Sequence, residues 1–129
     1  VQLRSGQRQE AIASFEKAVE LNPSSSFAEN NLGLALIYDG QYDEAVDALE
    51  DATELDPVEP YMWNNLGMAY EHLDRLDEAR DAYKQAVALA ADPNAGAVAK
   101  KNLVRLAGVK TIKPIETAKI DPVPSPDVK

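Results

Sequence analysis

Apolar residues recur along this chain at helical steps, and the helical pattern itself then recurs. From Gln7 to Leu21 the residues Ala11, Ile12, Phe15, Ala18 and Val19 fall at steps of one, three and four, on one helical face. The same face returns 34 residues later as Ala45, Val46, Leu49 and Ala52. Asn22-Pro23 and Asp56-Pro57 close these segments, because Pro has no N–H to donate and turns the preceding residue away from helical backbone. Ser24, Ser25 and Ser26 then offer N-caps. The pattern predicts helix pairs, with first helices over about 26–39 and 60–73 and second helices between them.

The period is explicit in the polar residues. Gly6-Gln7-Arg8-Gln9-Glu10-Ala11 recurs as Gly40-Gln41-Tyr42-Asp43-Glu44-Ala45 and again as Asp74-Arg75-Leu76-Asp77-Glu78-Ala79, each step being 34. Phe15, Leu49 and Tyr83 keep that step, as do Ala18, Ala52 and Ala86, and Asn31-Leu32-Gly33 returns as Asn65-Leu66-Gly67. Gly40 falls in a short turn, where a positive φ costs Gly little. Gly33 and Gly67 fall inside helices, where Gly costs about 1 kcal/mol against Ala. A close helix crossing would justify that cost, with Ala45 and Ala79 as the expected facing side chains.

These residues resemble the tetratricopeptide repeat (TPR) family, whose pattern is W-x2-L-G-x2-Y followed by A-x3-F-x2-A-x4-P. One unit supplies Trp63, Leu66, Gly67, Tyr70, Ala79, Tyr83 and Ala86; the unit before it supplies Leu32, Gly33, Ala45, Leu49, Ala52 and Pro57. Glu29 at the Trp position and Leu36 at the Tyr position depart from the pattern. The first unit shows only its second half, Gly6 to Pro23, with Val1–Arg4 as the last turn of a missing first helix. After Ala86 the closing Pro comes two residues late, at Pro93, which predicts a longer second helix.

The resemblance covers about residues 1–93. It implies an all-α, right-handed α-α superhelix of about two and a half repeats plus a C-terminal capping helix. The expected divisions are a partial repeat at 1–25, repeats at 26–59 and 60–96, and a cap at 97–108. Leu103 and Leu106 should face inward from that cap. Val104 stands where a repeat would place Gly, and Lys100, Lys101 and Arg105 should wet the outer face. Gly108 is expected to stop this helix. Residues 109–129 hold four Pro and no helical period and are expected to be an extended tail, lying along a TPR surface as a stand-in for a client or free in solvent.

Composition narrows the function. The 129 residues include no Cys and one His, His72, which excludes disulfides, thiolate metal sites and a Cys nucleophile. His72 lies near Glu71 and Asp74, but one His is a poor metal set, and an exposed helix-end histidine is the plainer reading. There is no glycine-rich phosphate loop and no H-E-x-x-H. No cofactor and no catalysis are expected. No apolar run reaches the length of a membrane span, so no direct membrane insertion is expected.

The net charge of -9 argues against tracking nucleic-acid phosphates. That charge is uneven: residues 97–129 carry +4 and residues 1–96 carry -13, with nine acids and no base from Asp39 to Glu59. The bland reading of that acidic stretch is a solvated convex face; the sharper one is docking for a basic partner. The chain starts at Val1 rather than Met and reads as part of a longer product. Localisation is not legible, since the lack of Cys suits cytoplasm and periplasm alike.

By the family resemblance, the first helices line a groove that binds a protein or peptide segment, as a scaffold or adaptor. That groove would present Phe27, Asn30, Asn31, Leu34, Ile37 and Tyr38 from one helix and Tyr61, Asn64, Asn65, Met68, Glu71 and His72 from the next, with Asn102 beyond. The family's carboxylate clamp needs Lys where this chain has Asn30 and Tyr61, so it is not expected. Asn31, Asn65 and Asn102 resemble the family's asparagine ladder, since a carboxamide matches a peptide unit in donor and acceptor. Alternatively these Asn bond between neighbouring helices or face water, and Phe27, Tyr61 and Met68 are either groove pockets or inter-repeat packing. The alternatives to a peptide-binding module are a self-associating scaffold, a homo-oligomer through the exposed N-terminal half-repeat or the tail, and an adaptor within a larger enzyme or assembly.

Overall fold

The computed structural model describes residues 5–94 and 96–120, and among them every regular element is a helix. The order is α1 (Ser5–Leu21), α2 (Ser26–Tyr38), α3 (Tyr42–Leu55), α4 (Pro60–His72), α5 (Leu76–Leu89) and α6 (Ala97–Ile120). Each helix packs on its neighbours in sequence, most extensively α2 on α3 and α4 on α5. These two antiparallel hairpins are the two complete repeats. Contacts between α2 and α4 put the first helices side by side in one layer.

The starts and stops follow local chemistry. Ser25 caps α2, its Oγ accepting the Ala28 N–H at 3.1 Å, and Pro60 takes the first position of α4, where a missing N–H costs nothing. Gly40 ends the α2–α3 turn with φ +81°, and Asp74 holds the same place between α4 and α5 with φ +61°. The first repeat of this motif behaves differently: Gly6 lies inside α1. The expected last turn at Val1–Arg4 falls outside the described residues.

The core joins the small and large residues of the period. Ala45, Leu49, Ala52, Ala69, Ala79 and Tyr83 are fully enclosed, with Leu66, Leu36, Val46 and Ile12 around them. The side chains nearest the helical glycines are Leu49 and Tyr83. A Cβ on Gly33 would lie 2.4 Å from Leu49 Cγ, and one on Gly67 would lie 2.6 Å from Tyr83 Cε1. Ala45 and Ala79 share the core.

Three sequence expectations change here. First, α5 is no longer than α3; both have 14 residues. The extra residues before Pro93 form the connection, where the chain leaves the helix at Ala90 and returns with Gly96 against the Ala90 side chain. Second, α6 passes Gly108 and Pro114 and runs to Ile120, so residues 109–120 are helical rather than extended. Gly108 does not take the positive φ that a glycine stop uses, and lengthening an existing helix is far easier than starting one. The rest of the expected tail, residues 121–129, lies outside the described residues. Third, Ile37 faces the core at 5% exposure, not the groove.

Candidate functional site

The layer of α2, α4 and α6 is stitched by asparagines. Asn65 Nδ2 on α4 donates to Asn30 Oδ1 on α2 at 3.0 Å, and Asn102 Nδ2 on α6 donates to Asn64 Oδ1 on α4 at 3.0 Å. Asn30 is buried and pays for its burial with that bond. Asn64 Nδ2 also approaches Met68 Sδ at 3.7 Å. Of the three ladder candidates, Asn65 and Asn102 bond between neighbouring helices. Asn31 is exposed and lines a cavity. A carboxamide has two donors and two lone pairs, so Asn65 keeps hydrogen-bonding capacity beyond its link to Asn30.

Two cavities open along this layer. The first, about 240 Å³, lies between α1 and α2 and is lined by Arg8, Ala11, Phe15, Asn31, Leu34, Ala35 and Tyr38. It is nearly all apolar, and Phe27 (60% exposed) and Tyr38 (58%) present further apolar area on the same helix. The second, about 490 Å³, lies between α4 and α6 and is lined by Met68, Glu71, His72, Tyr83, Val98, Asn102 and Arg105. The structure thus brings Asn31, Leu34 and Tyr38 together at one end, and Met68, His72 and Asn102 at the other. Tyr61 is partly exposed at the start of α4 and lines neither cavity.

Charge in the second cavity is tightly paired. Glu71 Oε1 accepts the Tyr83 hydroxyl at 2.8 Å and Arg105 Nη2 at 3.0 Å, while Oε2 faces Arg105 Nη1. Arg105 Nη2 also donates to Asn102 Oδ1 at 3.0 Å. The Arg105 guanidinium holds the Glu71 carboxyl below its usual range, against the opposing effect of burial. Burial and the Glu71 carboxylate push the Tyr83 phenol up. Arg105 therefore belongs to the groove side rather than the outer face of the cap. Its spacing from Asn102 (i, i+3) was the available signal. His72 stacks flat on Tyr42, with ring centroids 4.4 Å apart. Among the described residues no three or more His, Asp or Glu side chains are grouped so as to hold a metal ion.

Outside this layer, acids are not merely a solvated coat. Glu50 accepts the Tyr70 hydroxyl and ties α3 to α4. Asp39 gathers Arg8 Nε at 3.1 Å, Gln9 Nε2 at 2.9 Å and Gln41 Nε2 at 2.7 Å, joining α1 to the end of α2. Those hydrogen bonds, Gln41 and Arg8 foremost, lower the Asp39 carboxyl.

A family model described as Tetratricopeptide repeat matches residues 30–96, more than half of the chain, and a second with the same description matches residues 1–25. No curated protein matches the chain. Solved structures share its fold. A chain in the crystal structure of a T3SS complex from Aeromonas hydrophila aligns with TM-score 0.78 at 23% identity, covering 84% of this chain and 75% of that one. The first TPR of Spaghetti (RPAP3), bound to the HSP90 peptide SRMEEVD, aligns with TM-score 0.75 at 20% identity, covering 82% of each. The Arabidopsis OM64 TPR domain aligns with TM-score 0.69 at 23% identity, covering 78% of this chain and 83% of that one. Among the described residues no helix is long and apolar enough to cross a membrane.

Proposed function

The chain belongs to the tetratricopeptide repeat family, and from that premise we propose that it binds an extended segment of a partner protein along α2, α4 and α6. TPR chains are protein-interaction modules, and the RPAP3 neighbour holds a peptide. The observation that carries the proposal is the pair of cavities on one helix layer, almost wholly apolar between α1 and α2, and between α4 and α6 mainly apolar with one charged and hydrogen-bonded wall. The segment crosses both, its backbone meeting the carboxamides of Asn31 and Asn65 and its side chains entering the two cavities. Phe27, Leu34 and Tyr38 serve one end; Met68, His72 and Asn102 serve the other; Asn30 and Asn64 hold their neighbours in place. The role is that of a scaffold or adaptor without catalysis of its own, and with -9 net charge it does not take nucleic acid.

The test is a peptide selected from a displayed random library against the folded chain. Asn31→Ala with Asn65→Ala should weaken it about tenfold or more, each lost hydrogen bond being worth roughly 1 kcal/mol. Unchanged affinity in a double variant with intact helicity would sink the reading. A second reading, self-association through the N-terminal end, is favoured by the apolar cavity beside Phe15 and the exposed Phe27 and Tyr38. Mass measured across protein concentrations decides it: a monomer throughout removes it.

A further inference from the structure

We propose, resting on the groove reading above, that Glu71 sets the selectivity of this binding face. By occupying the Arg105 guanidinium and the Tyr83 hydroxyl, it turns the cavity between α4 and α6 away from acidic groups and toward an uncharged, apolar side chain of the bound segment.

The polar wall of the cavity is a chain of satisfied groups: Tyr83 donates to Glu71, Glu71 accepts from both Arg105 amino groups, and Arg105 donates to Asn102. Asn102 in turn donates to Asn64. A carboxylate entering here would have to take Arg105 from Glu71. It would also sit beside a second carboxylate, and like charges brought together at an interface are strongly disfavoured. Glu71 stays ionised at neutral pH, since Arg105 lowers its carboxyl below the usual range.

Apart from His72, whose ring is stacked on Tyr42, the remaining lining is apolar. Met68 from α4, Tyr83 from α5 and Val98 from α6 line the cavity. Val98 is well exposed. At about 490 Å³ the space is about three times the ~150 Å³ cavity that accepts benzene, so a large side chain fits. Met is flexible and polarisable and adapts to such a guest. An acidic guest would otherwise find a basic end: residues 97–108 hold Lys100, Lys101 and Arg105 and no acid, and without Glu71 that surplus would draw an acidic segment here.

The experiment uses a displayed library of random peptides, selected on the wild-type chain and on Glu71→Gln. Gln keeps an acceptor for the Tyr83 hydroxyl, and thermal melts check that the fold survives. A peptide selected on wild type should carry a conserved apolar residue. Replacing that residue with Glu should weaken wild-type binding at least about tenfold. On Glu71→Gln the same replacement should cost less than about threefold, and on Glu71→Gln with Arg105→Gln the full penalty should return. Arg105→Gln alone should keep the apolar preference and gain no acid tolerance, which preserves the test if Glu71→Gln melts. Acidic residues enriched by wild type, or a Glu penalty equal in wild type and Glu71→Gln, would overturn the proposal. Failure of every variant to enrich any peptide would overturn the groove reading and this proposal with it.

Discussion

Gly33 lies against Leu49 so closely that a single added carbon has nowhere to go: its Cβ would stand 2.4 Å from Leu49 Cγ and 2.8 Å from Cδ2. Leu49 is itself fully enclosed. Helix propensity favours Ala over Gly by about 1 kcal/mol, so the two effects oppose each other. Overpacking a filled core costs about 1–3 kcal/mol, and packing should win. Gly33→Ala is expected to lower stability by about 1–2 kcal/mol in urea titration. Gly67→Ala should cost more, because the rigid Tyr83 ring cannot swing away as a Leu side chain can. A stabilised Gly33→Ala would show that propensity had won.

The repeat was legible because its spacing rests on few residues. Gly33, Gly67, Leu49 and Tyr83 each keep the 34-residue step, and that step puts small against large at both crossings. What stayed hidden depends on partners distant in sequence. Nothing local marks Arg105 as the counter-ion of Glu71, 34 residues earlier. Nor does anything local show that Asn65 is held by Asn30 and Asn102 by Asn64. The course of α6 past Gly108 and Pro114 departs from the sequence pattern for another reason. Breaker residues weaken a helix by local cost, but they do not cancel the advantage of extending one already formed.

Glu29 stands where the next repeat has Trp63, and it is buried at 8% exposure. Burial raises its carboxyl above the ordinary 4.5, and the charge of Asp51 and a hydrogen bond with it raise it further. A raised folded-state value means that stability is fully present below the ordinary carboxylate pKa and is lost as pH rises through the folded one. Glu29→Gln should therefore stabilise the chain near neutral pH, with the gain shrinking in acid. Denaturant midpoints at pH 4 and 7 measure it, and an equal effect at both values would exclude a charge origin.

Glu71 titrates in the opposite sense. Its carboxyl is lowered, so its contribution is present above the ordinary carboxylate value and is lost as pH falls through the folded one. The pair is partly exposed, with 51% of the Arg105 side chain in solvent, which limits its worth to about 0.5–1 kcal/mol. Arg105→Ala should lower stability by that amount near neutral pH and by less in acid. The loss should be local: backbone amides of α6 up to residue 108 should exchange faster, while those of α2 and α3 should not. Uniformly faster exchange would mean that Arg105 supports the whole stack rather than its end.

Gly40 separates backbone strain from packing. It has φ +81° in the α2–α3 turn, and a Cβ added there meets nothing within 4 Å, so a substitution is penalised through its backbone alone. For an ordinary side chain the left-handed conformation costs roughly 1–2 kcal/mol, and Asn and Asp, with short polar side chains, tolerate it best. The chain already demonstrates that tolerance, since Asp74 holds the equivalent turn at φ +61°. Gly40→Ala should thus lose about 1 kcal/mol, and Gly40→Asn distinctly less. Both should leave the spacing of α2 and α3 unchanged, because Gly33 and Leu49 set it. Equal losses for Ala and Asn in parallel urea titrations would mean that φ at this turn is not what the glycine provides.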